Sequence, residues 1–193
     1  MEYKSQLGDI FLCDSDRPMA GIVKLLMQAP TPYQWIFRYF KGTLEKVRYY
    51  HAGMILDDLT MVEQQGTCKY GQTQKILSRR ITIYRLRRNL KNCYADCGQP
   101  LEEVFKSRML ADIGAKYGVV SVFGKLLTWL TGIKWFERVI HWDNTEICVN
   151  RVGKWYVWIC NFGVKNYREL NTRIVDNYCS KNKEEWELVY TNE

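Results

Sequence analysis

Histidine is scarce in this chain. Its 193 residues include two, His51 and His141, so any chemistry that needs an imidazole must use one of them. Proline is scarce too, with four, and no Pro-, Gly- or Ser-rich tract or internal repeat divides the chain. A single domain over residues 1–193 is the expectation. Neither a GxGxxG nor a P-loop stretch is present, which removes the sequence basis for a nucleotide site. Paired CxxC motifs are missing as well. Cys93 and Cys97 stand in a lone CxxxC spacing, so a structural zinc site is poorly signalled and no metal or cofactor is expected.

Long apolar runs are also wanting. The most apolar stretch, VVSVFGKLLTWLTGIKWF (Val119 to Phe136), holds two lysines and two glycines in eighteen residues. A membrane span needs ~20 nearly uncharged residues, so a buried helix is expected there, with an interfacial helix as the second reading. The opening MEYKSQLGDIF lacks the apolar region of a signal peptide. Seven cysteines, an odd number at irregular spacings, then point to free thiols in a reducing, cytoplasmic compartment.

Acid is in deficit, with 21 Asp and Glu against 28 Lys and Arg, a net charge of +7. Much of the basic charge lies in SRRITIYRLRRNLKN (Ser78 to Asn92). No nucleic-acid motif accompanies it, so no nucleic-acid partner is expected. The segment reads as a solvated strand edge guarded by Arg and Lys. An anionic membrane surface is the other partner such a charge admits.

What the chain does have is apolar and aromatic mass: 47% hydrophobic and 14% aromatic residues, enough for a real core. GDIFLC (Gly8 to Cys13) reads as a buried strand. SDRPMAGIVKLLMQAP reads as a helix capped by Asp16, with Pro18 in its first turn and Pro30 at its stop. YQWIFRYFKG is a shorter helical candidate ending at Gly42. YHAGMIL and MVEQQG read as a hairpin around DDLT. ITIYRLR reads as another strand, QPLEEVFKSRMLADIGAKYG as an amphipathic helix, and the segment around Trp186 to Tyr190 as a closing strand. DNTEICVNRVGKWYVWIC (Asp143 to Cys160) reads as a helix capped by Asp143, Asn144 or Thr145. Strands concentrated in the first half, with helices around them, argue for α+β with an antiparallel sheet.

Three residue types in this layout carry chemistry. Cys148 falls in the first turn of its helix, where exposed N–H groups and the helix dipole favour a thiolate. His51 opens a strand and could stabilise that thiolate and later donate a proton. A third polar group would hold the ring, and the return strand offers Glu63 and Gln64. A hairpin turning between Asp58 and Leu59 sets Met54 opposite Glu63 and puts Glu63 on the face away from His51. One more residue in the turn reverses the parity. Pairing alone leaves both candidates open. His141, seven residues before Cys148, is a lower-ranked rival base.

The order GDIFL, YHAGMIL, MVEQQG, EICVNRV resembles the permuted NlpC-like papain-fold superfamily, which includes relatives of lecithin:retinol acyltransferase. The resemblance spans roughly residues 8 to 160. It implies a circularly permuted papain-like fold and a cysteine hydrolase that cleaves an amide or ester. The substrate would be a peptide, isopeptide or acyl-lipid, with Cys148 as nucleophile, His51 as base and Glu63, twelve positions after the histidine, as the orienting residue. Two features depart from the pattern: Tyr50 stands where a small hydroxyl residue is common, and Val149-Asn150-Arg151-Val152 follows the cysteine in place of Ser-Glu-Leu-Val. A catalytically idle binding module on the same fold and a membrane-surface acyltransferase or lipase are the alternatives. Oligomeric state is not legible in the sequence.

Overall fold

A computed structural model describes residues 3–14, 24, 27–28, 31–44, 47–65, 67–88, 90, 93–94, 98–116, 118–140, 147–157, 159–160 and 162–192. Among the described residues six strands are present: β1 (Ile10–Cys13), β2 (His51–Ile55), β3 (Thr60–Gln65), β4 (Thr67–Gln72), β5 (Ile81–Leu86) and β6 (Trp186–Thr191). The helices described with them are α1 (Pro32–Phe40), α2 (Thr73–Leu77), α3 (Leu101–Ala111), α4 (Val119–Thr131), α5 (Trp135–Val139), α6 (Cys148–Tyr156) and α7 (Thr172–Lys181). The strands form one antiparallel sheet in the order β4-β3-β2-β1-β5-β6. The α+β expectation therefore holds. Only Lys24, Met27 and Gln28 of the expected helix before Pro30 lie within the described residues.

Every residue of β1 and β2 is buried, because the sheet is covered on both faces at its centre. Ile10, Leu12, Ala52, Met54, Val62 and Tyr84 point to one face, where Phe105 of α3, Val149, Val152 and Trp155 of α6 and Val175 of α7 complete the main core. Residues of opposite parity, Phe11, Cys13, Ile55, Met61, Ile81 and Ile83, form a smaller cluster on the other face with Ile76 of α2. Burial of each such side chain stabilises the fold by roughly 1.5–3 kcal/mol.

The basic segment is not a sheet edge. β5 lies between β1 and β6, and its Arg85 makes a bidentate bond, at 2.8 and 2.7 Å, to the buried carboxylate of Asp9. The edges are β4, which the strand pattern missed, and β6. β4 is missed because its residues are mostly exposed and polar, leaving no apolar alternation to read.

The apolar stretch before the cysteine is not a buried helix either. Gly132, at φ 77°, ends α4 in the left-handed conformation that glycine adopts at no steric cost. Among the described side chains of α4 and α5, Phe123, Leu130 and Trp135 are more than half exposed. Among the described residues, no helix is long and apolar enough to cross a membrane.

Candidate active site

The β2–β3 hairpin decides which residue joins His51. Gly53 pairs with Glu63, Met54 with Val62 and Ile55 with Met61. The turn is therefore one residue longer than the two-residue alternative. Asp57 builds it, its Oδ1 accepting from the N–H groups of Leu59 and Thr60 at 2.9 and 2.7 Å. With this parity Glu63 shares a face with His51, and Gln64 faces the main core. Gln64 there donates from Nε2 to the Ala115 carbonyl at 3.1 Å and helps hold residues 112–116 against the sheet.

His51 Nε2 lies 2.8 Å from Glu63 Oε2, with both side chains about 95% buried. Cys148 lies within interaction reach of the same imidazole, its charge and hydrogen bonding acting on the ring, and Nδ1 is the ring nitrogen that Glu63 leaves unused. Phe11 packs beside the imidazole, with ring centroids 6.1 Å apart. The glycine of His-Ala-Gly has its reason here. A Cβ on Gly53 would stand 2.3 Å from Phe11 Cζ and 2.7 Å from the Val62 carbonyl oxygen, closer than any real contact. The Phe11 ring thus crosses β2 where a side chain is missing.

Cys148 is the first helical residue of α6. Its N-cap is Ile147, extended at φ −85° and ψ 160°. The helix is thus shorter than the sequence suggests at both ends, and the caps expected at 143–145 lie outside the described residues, as do His141 and Cys97. At this position the sulfur meets unsatisfied backbone donors. The N–H groups of Val149 and of Ala52 both bond to it. Ala52 is free to do so because the β2–β3 ladder ends at Gly53–Glu63, while β3 continues along β4 as far as Gln65–Thr67. The strands fork at the sulfur.

The electrostatics follow from these contacts. Burial opposes ionisation of Cys148, but the charge and hydrogen bond of His51 and the two backbone donors outweigh it and hold the thiol below its ordinary value. Burial likewise opposes the imidazolium, yet Cys148 and Glu63 raise His51 above its ordinary value. Glu63 resists burial through the bond and charge of His51, helped by Arg79 and Lys69, and its carboxyl titrates below the usual range. The three shifts run the same way: each favours the charged form of its group, thiolate, imidazolium and carboxylate.

A second cysteine stands in the same row. Cys13 pairs directly with His51 across β1 and β2 and is fully buried. Burial pushes its thiol up to about 12, with Arg79 pulling the other way. The sequence offered no signal for Cys13, since its proximity depends on strand register rather than spacing. Its protonated state marks it as a wall of the site rather than a nucleophile.

A buried ion pair anchors the helix that carries Cys148. Arg151 is fully buried and its Nη1 lies 2.9 Å from Asp112 Oδ1. Asp112 also accepts from Trp155 Nε1 at 2.8 Å and Lys154 Nζ at 3.1 Å. Asn150 Nδ2 donates to the carbonyls of Tyr167 and Leu170 at 2.8 and 3.2 Å. The Asn-Arg pair that departs from the resembled pattern thus ties α6 to its surroundings. Among the described residues, no three His, Cys, Asp or Glu side chains converge in a way that could hold a metal ion.

No family model and no curated protein matches the chain. Among solved structures it is similar to that of the metalloprotein YiiX from Escherichia coli O157:H7, a DUF1105 protein, with a TM-score of 0.51. The identity is 15%, over 98% of this chain and 90% of that one. At such an identity the likeness is one of fold.

Proposed function

We propose that the chain is a cysteine hydrolase on a circularly permuted papain-like fold, cleaving an amide or ester bond of a peptide, isopeptide or acyl-lipid. The observation that carries this reading is the His51 imidazole, buried between Glu63 Oε2 at 2.8 Å and the Cys148 sulfur.

The Cys148 thiolate attacks the substrate carbonyl carbon, and the carbonyl oxygen takes up the negative charge. The Cys148 backbone N–H, free at the first position of α6, is one donor to that oxyanion. As the intermediate collapses, the C–N or C–O bond breaks and His51 Nδ1 gives its proton to the departing nitrogen or oxygen. An acyl thioester on Cys148 and a neutral imidazole remain. His51 then takes a proton from water as the water attacks the thioester, and the acid leaves with Cys148 again a thiolate. Glu63 keeps Nε2 protonated and the ring in its plane throughout.

Labelling with a thiol-reactive acyl probe tests the reading. The parent chain is expected to carry the label on Cys148, and the Cys148→Ala variant to carry none while Cys93→Ala labels as the parent does. Equal labelling of the parent and Cys148→Ala would overturn it. A Cys148 thiol titrating at its ordinary ~8.5, with no acyl adduct, would leave a binding module.

A further inference from the structure

The apolar stripe of α1 faces away from the protein. Tyr33, Ile36, Phe37 and Phe40 stand at i, i+3, i+4 and i+7, the spacing of a single helix face. In a water-soluble fold that face covers the core. Here the four side chains are 78%, 50%, 50% and 82% exposed, and none of the nine residues of α1 is buried. The helix is nonetheless well formed: Thr31 Oγ1 accepts from the Gln34 N–H, and Pro32 occupies its first turn.

A second exposed set adjoins it. A Cβ on Gly132 would lie 3.1 Å from Thr31 Cγ2, so the end of α4 abuts the start of α1. Around that junction Leu130, Ile133 and Trp135 are 54%, 53% and 58% exposed. Among the described residues, ten of the sixteen exposed large apolar side chains belong to α1, α4, α5 and the α4–α5 turn. That concentration separates the patch from the single exposed apolar residues found on any protein surface.

Charge identifies the occupant. Residues 31–44 contain Arg38 and Lys41 and no acid, and residues 119–139 contain Lys125, Lys134 and Arg138 against Glu137. Lys125 turns its ammonium to the carbonyls of Arg168 and Leu170 at 2.6 and 3.1 Å, which leaves Arg38, Lys41, Lys134 and Arg138 against Glu137. Counting Glu169, which pairs with Lys134 at 3.3 Å and Arg138 at 2.7 Å, the basic residues lead four to two. We propose that α1 and the α4–α5 pair form a docking surface for an anionic lipid bilayer, with Tyr33, Phe37, Phe40 and Trp135 entering the interface beneath a basic rim. Aromatic side chains with Lys and Arg beside them suit the boundary between headgroups and acyl chains. A second copy of a chain with a charge of +7 would meet repulsion across a lysine-bearing face.

The surface bears on the site through chain connection. Ten residues separate α1 from His51, and eight separate α5 from Cys148. The proposal goes beyond the hydrolase reading and stands without it, because docking requires no turnover.

Co-sedimentation of the full chain with phosphatidylcholine vesicles, with and without phosphatidylserine, tests it. The parent and Cys148→Ala are expected to pellet equally with the phosphatidylserine vesicles, less so as salt rises. The double variant Phe37→Ser, Phe40→Ser is expected to bind at least about tenfold more weakly. Leu59→Ser, altered at an 80% exposed residue of the β2–β3 turn, is expected to bind as the parent does. Equal binding by the double variant would overturn the proposal, as would a parent that stays in the supernatant. So would a dimer in sedimentation equilibrium that the double variant dissolves without any vesicle binding. Loss of docking with Cys148 labelling intact sinks this inference alone, and the reverse outcome sinks only the hydrolase.

Discussion

Two helices of nine residues, α6 and α1, place similar one-sided sequences in opposite surroundings. Eight residues of α6 are buried and none of α1 is. An apolar stripe records that a helix has a greasy side, not what that side touches. In α6 the stripe meets β2 and β3, and polar anchors lock it there: Arg151 to Asp112, and Asn150 to the carbonyls of Tyr167 and Leu170. The only side-chain anchor of comparable kind on α1 is Trp35 Nε1 to Gln28 Oε1 at 2.9 Å, among the described residues. One helix is held with its first residue, Cys148, beside the His51 imidazole. The other keeps its aromatic side toward solvent.

That contrast can be broken by experiment, and the largest effect belongs to the buried helix. His51→Ala, which leaves Cys148 without its proton partner, is expected to slow acylation by the probe by about 10²–10⁴-fold, read from labelling rates. Next comes packing. Trp155→Ala removes a fully buried ring and the donor to Asp112 and is expected to cost about 3–5 kcal/mol, measured by urea denaturation.

Glu63→Gln sharpens the electrostatic half of the comparison. The Glu63 carboxylate raises His51, so its loss lowers the pH at which the imidazolium gives up its proton. The alkaline limb of the pH–rate profile is expected to move toward acid, and each unit of movement corresponds to about 1.4 kcal/mol of lost stabilisation. An alkaline limb unchanged in the variant would contradict the charge chain. The smallest effect lies on α1, where Phe40→Ser is expected to change stability by no more than about 0.5 kcal/mol, read from the same denaturation midpoints.

The sequence carried much of this, unevenly. Strand existence was legible wherever apolar residues ran together, as in Ile10–Cys13 and Ile81–Leu86, because buried central strands leave that trace. β4 left little, since the mostly exposed and polar residues of an edge strand follow no clear period, whereas α7 did carry one, in Ile174, Val175, Tyr178 and Cys179 behind its Asn171 cap. Cys148 at a helix start and His51 at a strand start could be named from local pattern. Their convergence could not, because it depends on a long-range packing of α6 against β2. Strand pairing could not separate Glu63 from Gln64, since the distinction rests on the length of a turn, and only the spacing of the resembled pattern singled out Glu63. The buried roles of Asp9 and Arg151 were invisible for a related reason: a charged residue reads as surface until its partner is known.

The turn at Asp57 to Leu59 therefore acts as a charge selector for a site it never touches. A turn one residue shorter in this same sequence would slide β3 by one step and set Gln64, a neutral amide, in the place of the carboxylate behind the ring. The length of an exposed loop thereby sets the proton affinity of a buried imidazole.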